Sequence, residues 1–290
     1  MLTACQVKKK SAGTATSSIY AKNNLVAWCI VPFDSKKRNS LERAQMLTRL
    51  GINKLAYDWR PEHVPQFDTE IQTLKQNNIT LQSFWLFVGP DPEKEANLKK
   101  ILEALKRNNT KTEIWLMVGN INMNKMSQQQ KVDTISRVVK YVATEASKVG
   151  CSVGLYNHGG WYGEPENQLA IISHLKMPTI GMVYNFHHAE EQVERFPAFF
   201  PKIIPHLFAV NISGLQKRNP AKVVPVGQGD EEYKMMRIIK ESAYKGPIGI
   251  INENTSPDAE DGLRINMDGL VKVVKAIGDN EALKTYIAGN

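Results

Sequence analysis

The chain is short of several things, and each shortage narrows what it can be. Only three cysteines occur in 290 residues, at positions 5, 29 and 151. Their spacing is not that of a zinc site, and Cys29 and Cys151 fall inside predicted strands, where free thiols are commonly buried. No internal run is long and apolar enough to span a bilayer. The first strand-to-helix turn lacks a G-x-G-x-x-G fingerprint, which argues against a dinucleotide-binding fold. Dense groups of His, Asp and Glu of the kind that hold several zinc ions are also missing, which sets nucleic-acid processing aside. The net charge of +8 is spread over predicted helix faces, with Lys8-Lys9-Lys10 the one tight cluster, so it reads as solvated surface.

What is present is a repeated grammar. Hydrophobic residues make up 42% of the sequence, enough for a large core, and from Asn24 onward apolar runs alternate with amphipathic segments. Leu25 to Ile30 is a continuous apolar run; Ser40 then caps a helix whose Leu41, Ala44 and Leu47 share a face, and Leu50-Gly51-Ile52 leads into the next strand. The same reading places strands near 54–58, 79–87, 113–118, 151–156, 180–185, 206–212 and 247–252. Helices follow near 65–77, 94–107, 127–147, 164–175, 190–199, 231–244 and 258–277. Eight near-continuous Val, Ile and Leu strands joined by crossover helices predict an α/β chain closed as a single (β/α)8 TIM barrel over residues 23–290.

The first 22 residues have a different character. Leu2-Thr3-Ala4-Cys5 matches a bacterial lipobox, and Gln6 to Lys22 is rich in Lys, Ser, Thr and Ala, the composition of a flexible tether. The apolar segment that should precede a lipobox is absent from the sequence. Two readings stand side by side: a periplasmic or cell-surface lipoprotein whose sole membrane contact is a lipid on Cys5, or a cytoplasmic protein in which four residues match by chance.

Barrels of this kind do their chemistry at the carboxyl ends of the strands. Those ends carry Trp28; Tyr57, Asp58, Trp59 and Arg60; Trp85; Trp115 and Asn120; Tyr156, His158 and Trp161; Asn185, His187 and His188; Asn211 and Ser213; and Asn252, Glu253 and Asn254. Aromatic faces beside amides and imidazoles suit a carbohydrate, whose C–H faces stack on rings while its hydroxyls need donors and acceptors. Trp85 and Trp115 are read as barrel packing, whereas Trp161, in a Gly-Gly-Trp-Tyr-Gly loop, is read as a ligand contact. His63, His174 and His206 sit where a structural role is expected. The expected substrate contacts are Trp28, Asp58, Arg60, Trp161, Asn185, His187, Asn211, Lys217 and Gln228, and the expected catalytic groups are His158, His188 and Glu253.

Leu155-Tyr156-Asn157-His158-Gly159-Gly160-Trp161, Val183-Tyr184-Asn185-Phe186-His187-His188, and the order of Phe208–Ser213, Pro225–Asp230 and Ala243–Ile250 resemble the xylose isomerase-like barrel superfamily. That resemblance implies sugar isomerisation, epimerisation or a related elimination, by proton transfer next to a carbonyl. It also implies one divalent cation (Mn, Mg, Co or Zn) held by Glu, Asp, His and Glu. The matching positions here are Tyr156, Asn185, Asn211 and Ile251, none of them a strong ligand. Side chains two apart along a strand point the same way, so a shifted set of His158, His187 and Glu253 is an alternative metal site one layer nearer the mouth. A binding protein that has lost catalysis is the second functional reading.

Overall fold

The computed structural model describes residues 18–218, 222–253 and 255–287. Eight parallel strands close into a barrel: β1 (Leu25–Trp28), β2 (Lys54–Tyr57), β3 (Thr80–Val88), β4 (Glu113–Val118), β5 (Ser152–Tyr156), β6 (Ile180–Asn185), β7 (Leu207–Ile212) and β10 (Ile248–Ile251). Between the last two lies an antiparallel hairpin, β8 (Gly214–Gln216) with β9 (Lys222–Val224). Around the ring, β1 pairs with β2 and β10, so β2 and β6 stand on opposite walls.

The helices are α1 (Ser40–Leu50), α2 (Phe67–Gln76), α3 (Ala96–Arg107), α4 (Gln128–Ser147), α5 (Gly160–Gly163), α6 (Pro165–Leu175), α7 (Phe196–Ile203), α8 (Glu232–Glu241), α9 (Ala259–Ala276) and α10 (Asn280–Ile287). Their ends are written in the sequence. Asn39, one residue before the expected Ser40, caps α1 by accepting from Glu42 N–H while the Glu42 carboxylate accepts from Asn39 N–H. Gly51, at φ +68, ends α1 in the left-handed region. Ser127 and Gln130 make the same reciprocal cap on α4. Among the described residues no helix is long and apolar enough to cross a membrane.

The expected barrel is therefore observed, and its folded body starts earlier than residue 23. Ile19, Tyr20 and Ala21 are buried, and Tyr20 Oη donates to Met236 O at 2.8 Å. Ser18 Oγ donates to Asp279 Oδ2 at 2.5 Å, and Tyr286 Oη, from α10, donates to Tyr20 O at 2.8 Å. A polar composition hid this: two apolar side chains are enough to dock the segment on α8 and α10. Cys5, the expected lipid site, lies outside the described residues.

Candidate functional site

The carboxyl ends of the strands enclose a cavity of about 140 Å³, lined by Trp28, Cys29, Phe33, Asp58, Arg60, Trp85, Tyr156, His158, His188 and Glu253. Its floor is aromatic. Trp28 meets Trp115 edge-on at 5.0 Å between ring centres, and Trp115 stacks on Tyr156 at 6.1 Å with 19° between planes. Tyr156 Oη accepts from Trp28 Nε1 at 3.0 Å and from Asn185 Nδ2. Asn185 cannot be turned the other way round, because its Oδ1 accepts from His187 N–H at 2.9 Å.

One wall comes from β1 and β2. Directly after β1, Cys29 adopts φ +52, a left-handed turn that delivers its thiol to the cavity lined also by Glu253. Burial, then the neighbouring Asp58 and Glu253 carboxylates, push that thiol well above its ordinary range, so it is a neutral donor. Asp58, at the end of β2, is 2% exposed; its Oδ1 accepts from Val31 N–H at 3.3 Å and its Oδ2 has no partner among the described residues. Burial raises its carboxyl to about 7, although the Arg60 cation opposes the shift. Arg60 Nη1 donates to Asp58 O and Trp59 O, and its guanidinium lies 5.9 Å from the Phe33 ring centre and 5.8 Å from that of Trp85.

The facing wall comes from β5 and β6. Asn157 ties the two strand ends together, accepting from Asn185 N–H at 2.7 Å and donating to Asn185 O at 3.2 Å. On this brace sit His158 and His188, with ring centres 4.1 Å apart. The Tyr156 ring lies 6.2 Å from His158 and 6.0 Å from His188. Burial, then the neighbouring His158 and His187, lower His188 to about 3, which keeps it a neutral imidazole. His187 turns the other way, its Nε2 3.6 Å from Glu253 Oε2. Burial lowers its pKa as well, against the pull of Glu253.

Trp28, Asp58, Arg60, His158, His188 and Glu253 thus share one cavity, as expected from the sequence. Others do not. Trp161 is absent from the lining: the glycine-rich segment forms α5, which turns the indole outward, where Nε1 donates to Gln128 Oε1 at 2.9 Å. Lys217 and Gln228 are exposed away from the cavity, because β7 runs on into the hairpin and carries them out. Glu232 anchors that region by accepting from Leu215, Gly227 and Gly229 N–H. Asn185 and Asn211 are buried and support the site without lining the cavity. Asn211 has no partner on either side-chain atom among the described residues, and it fits only because Gly249 faces it, where a Cβ would come within 1.9 Å of Oδ1. Trp85, expected as packing, is a wall of the cavity; Trp115 is packing, fully buried. The sequence reading did not include Cys29 or Phe33 in the site, since the first is brought in by a left-handed turn and the second by the loop after it. Asn254 lies outside the described residues.

Neither expected ligand set is assembled as a metal-holding group among the described residues. Among the described residues no group of three or more His, Cys, Asp and Glu is arranged to hold a metal ion. At the deeper layer, Tyr156 and Asn185 satisfy one another rather than facing a cation. At the upper layer, His187 stays with Glu253 while His158 packs against His188 instead, so the three do not come together as one set.

A second, more open groove of about 500 Å³ adjoins the cavity across Phe33, lined also by Pro32, Asp34, Ser35, Lys37, Thr255, Ser256 and Pro257. Asp34 is not free in it: it accepts from Arg38 Nη1 at 2.7 Å, and Asp258 and Glu260 bind Arg38 Nη2, locking the loop after β1 to the start of α9.

No curated protein matches the chain in sequence. Its architecture is shared by many solved structures. The 3-keto-D-glucoside 4-epimerase YcjR from E. coli is 15% identical, with a TM-score of 0.62 over 88% of this chain and 99% of that one. The probable 3-DHS dehydratase AsbF from Bacillus anthracis is 11% identical, with a TM-score of 0.64 over 84% and 98%. A xylose isomerase-like TIM barrel protein from Mycobacterium smegmatis, in complex with magnesium, is 13% identical, with a TM-score of 0.60 over 92% and 99%. At such identities the likeness is one of fold. The family model described as xylose isomerase-like TIM barrel matches residues 46–273, most of the barrel, and the chain belongs to that family.

Proposed function

We propose that the protein moves a proton next to the carbonyl of a small sugar or keto-sugar, as an isomerase, an epimerase or a related lyase. The observation that carries this reading is the pair of imidazoles, His158 and His188, 4.1 Å apart in one cavity with His188 held neutral. A neutral imidazole can take the proton from the carbon beside a carbonyl, leaving the electron pair to move onto the carbonyl oxygen. Negative charge forming on that oxygen, inside the same small cavity, offsets the cost of charging a half-buried His188. The abstracted proton passes from His188 to His158, within van der Waals range of it, and His158 delivers it to the neighbouring carbon as the enediolate's hydroxyl proton moves to the former carbonyl oxygen.

The remaining groups suit a polyhydroxylated ligand. Trp28, Trp85 and Phe33 offer ring faces, while Asp58, Arg60 and Glu253 offer acceptors and donors for hydroxyls. A cavity of about 140 Å³ is well below the roughly 300 Å³ at which drug-sized sites begin. It takes the reacting end of a sugar, and the groove beyond Phe33 gives the rest of a larger substrate a place to lie. A second reading, a carbohydrate-binding relative without turnover, is favoured by one observation: none of the four positions at which the family resemblance implies a metal ligand carries a carboxylate or an imidazole here.

One experiment separates them. The protein is incubated in D₂O with D-fructose, D-tagatose, D-psicose and D-sorbose, and deuterium entering beside the carbonyl is followed by NMR, with binding measured by calorimetry. Wash-in that drops about 10²–10⁴-fold in His188→Gln supports the acid–base enzyme. Binding without wash-in supports the second reading, and absence of both removes the sugar assignment.

A further inference from the structure

We propose that Tyr156 is the electrophile of this site, donating its hydroxyl hydrogen to the substrate oxygen on which negative charge develops. This rests on the proton-transfer reading above and adds the group that reading leaves unnamed, since abstraction of a proton beside a carbonyl also requires something to hold the resulting enediolate.

A tyrosine oxygen can accept and can donate once. Here it accepts twice, from Trp28 Nε1 at 3.0 Å and from Asn185 Nδ2, and it donates to no group among the described residues. Both donors are fixed. Trp28 belongs to β1 and is 2% exposed, and Asn185 is locked by His187 N–H on its Oδ1. Two donors converging on one oxygen strengthen the O–H as a donor to a third partner, while burial, the larger effect, pushes the phenol well above its ordinary range and keeps the proton on it. The ring packs against Trp28 and Trp115, the three ring centres forming a triangle with sides of 5.0, 5.7 and 6.1 Å, and Tyr156 also lines the cavity, where a partner can sit.

The position is also right for the reaction. His158 and His188 stand 6.2 and 6.0 Å from the Tyr156 ring centre, so one small ligand can touch the phenol through its carbonyl and an imidazole through the adjacent carbon. As the C–H bond breaks, the proton passes to the imidazole and the electron pair moves to the carbonyl oxygen. The Tyr156 proton remains on, or shared with, the phenol, so no co-reactant is needed. Tyr156 occupies one of the positions where the family resemblance implied a cation ligand; the phenol, with Trp28 and Asn185 behind it, does by hydrogen bonding what a Lewis acid would do by charge.

The test uses Tyr156→Phe, which keeps the ring packing and removes one oxygen. With protein dialysed against EDTA, wash-in should be unchanged in the wild type and should fall about 10²–10³-fold in the variant, mainly in kcat rather than KM. A readout independent of turnover is the ¹³C resonance of [2-¹³C]dihydroxyacetone. Its carbonyl signal should move downfield on binding to the wild type and lose that displacement in Tyr156→Phe. If wash-in is absent but the displacement is present and depends on Tyr156, the phenol assignment stands and the proton-transfer reading fails. A carbonyl signal that stays at its free position in the wild type, a Tyr156→Phe variant within threefold of wild-type wash-in, or stoichiometric bound metal whose removal abolishes wash-in, each overturns the proposal.

Discussion

Arg43, on α1, and Glu70, on α2, form a two-pronged ion pair in the barrel wall, Nε to Oε1 and Nη2 to Oε2 both at 3.1 Å, with side chains 2% and 1% exposed. Arg43 Nη1 also donates to Arg38 O at 2.8 Å, which fixes the start of α1 and the loop after β1. Removing one partner leaves the other charge buried and alone. Glu70→Ala should therefore cost about 3–5 kcal/mol in denaturant melts, while Arg43→Met with Glu70→Leu should recover most of that loss. A Glu70→Ala variant within about 1 kcal/mol of wild type would contradict this account.

Two carboxyls inside the barrel make stability depend on pH in an unusual direction. Burial raises Asp58 from 3.8 and Glu113 from 4.5, each to about 7; Glu113 accepts from Trp115 Nε1 at 2.7 Å and Gln82 Nε2 at 2.8 Å, both of which oppose its shift. Between those values the folded state binds more protons than the unfolded one. Stability contributed by each group is then full below the lower value and is lost as pH rises to about 7, by at most about 1.4 kcal/mol per pH unit per group. Asp258 and Glu260 have the opposite sign: both are held near 2, Asp258 by Lys36 and Arg38 against its burial and Glu260 by Arg49 and Arg264, so their contribution is lost as pH falls below about 4. His188, lowered from 6.5 to about 3, opposes the two raised carboxyls, its contribution being lost as pH falls below about 6.5, so the carboxyls are read from the difference between wild type and their neutral variants rather than from where the maximum lies. Asp58→Asn with Glu113→Gln should flatten the alkaline side of the curve, and an unchanged slope would show that these two groups do not set it.

Arg60 should not tolerate its usual replacement. Its flat guanidinium lies beside both Phe33 and Trp85 while donating to two carbonyls, and a compact, strongly hydrated lysine ammonium lacks the planar face that packs on the rings. Arg60→Lys should weaken ketose binding about tenfold or more, corresponding to roughly 1.4 kcal/mol, with little change in melting temperature. Trp161→Phe is the matching control and should leave affinity within about twofold, because its indole faces Gln128.

Tyr20 should prove to be a core residue despite its polar surroundings. It is fully buried and its hydroxyl donates to Met236 O. Tyr20→Ala should cost about 3–5 kcal/mol, and Tyr20→Phe about 1 kcal/mol for the single hydrogen bond. Equal stability of Tyr20→Ala and wild type in urea would place this segment outside the cooperative fold.

The barrel was legible because each wall strand is a short apolar run with a helix after it, and that pattern has few other solutions. The hairpin β8–β9 and the helix α10 were not, since three-residue strands and an eight-residue terminal helix give too little periodicity to see. At the site, the strand-end rule found both histidine-bearing strand ends. It could not tell how the chain turns after each strand. The left-handed step at Cys29 and the helical turn at Gly160–Gly163 exchanged a thiol for an indole in the lining, and the pairing of His158 with His188 depends on backbone directions beyond β5 and β6. The phase of a strand continues only as far as the strand does.

The aromatic floor gives the protein its own optical reporter. Trp28 and Trp85 line the cavity, and Trp115 lies beneath them with its indole N–H on Glu113. A sugar settling on those rings alters the polarity and quenching around two emitters at once, and ionisation of Glu113 alters the field at a third. Intrinsic fluorescence should thus register occupancy of the mouth and protonation of the barrel floor as separate signals, the first titrating with ligand at constant pH and the second with pH in the empty protein.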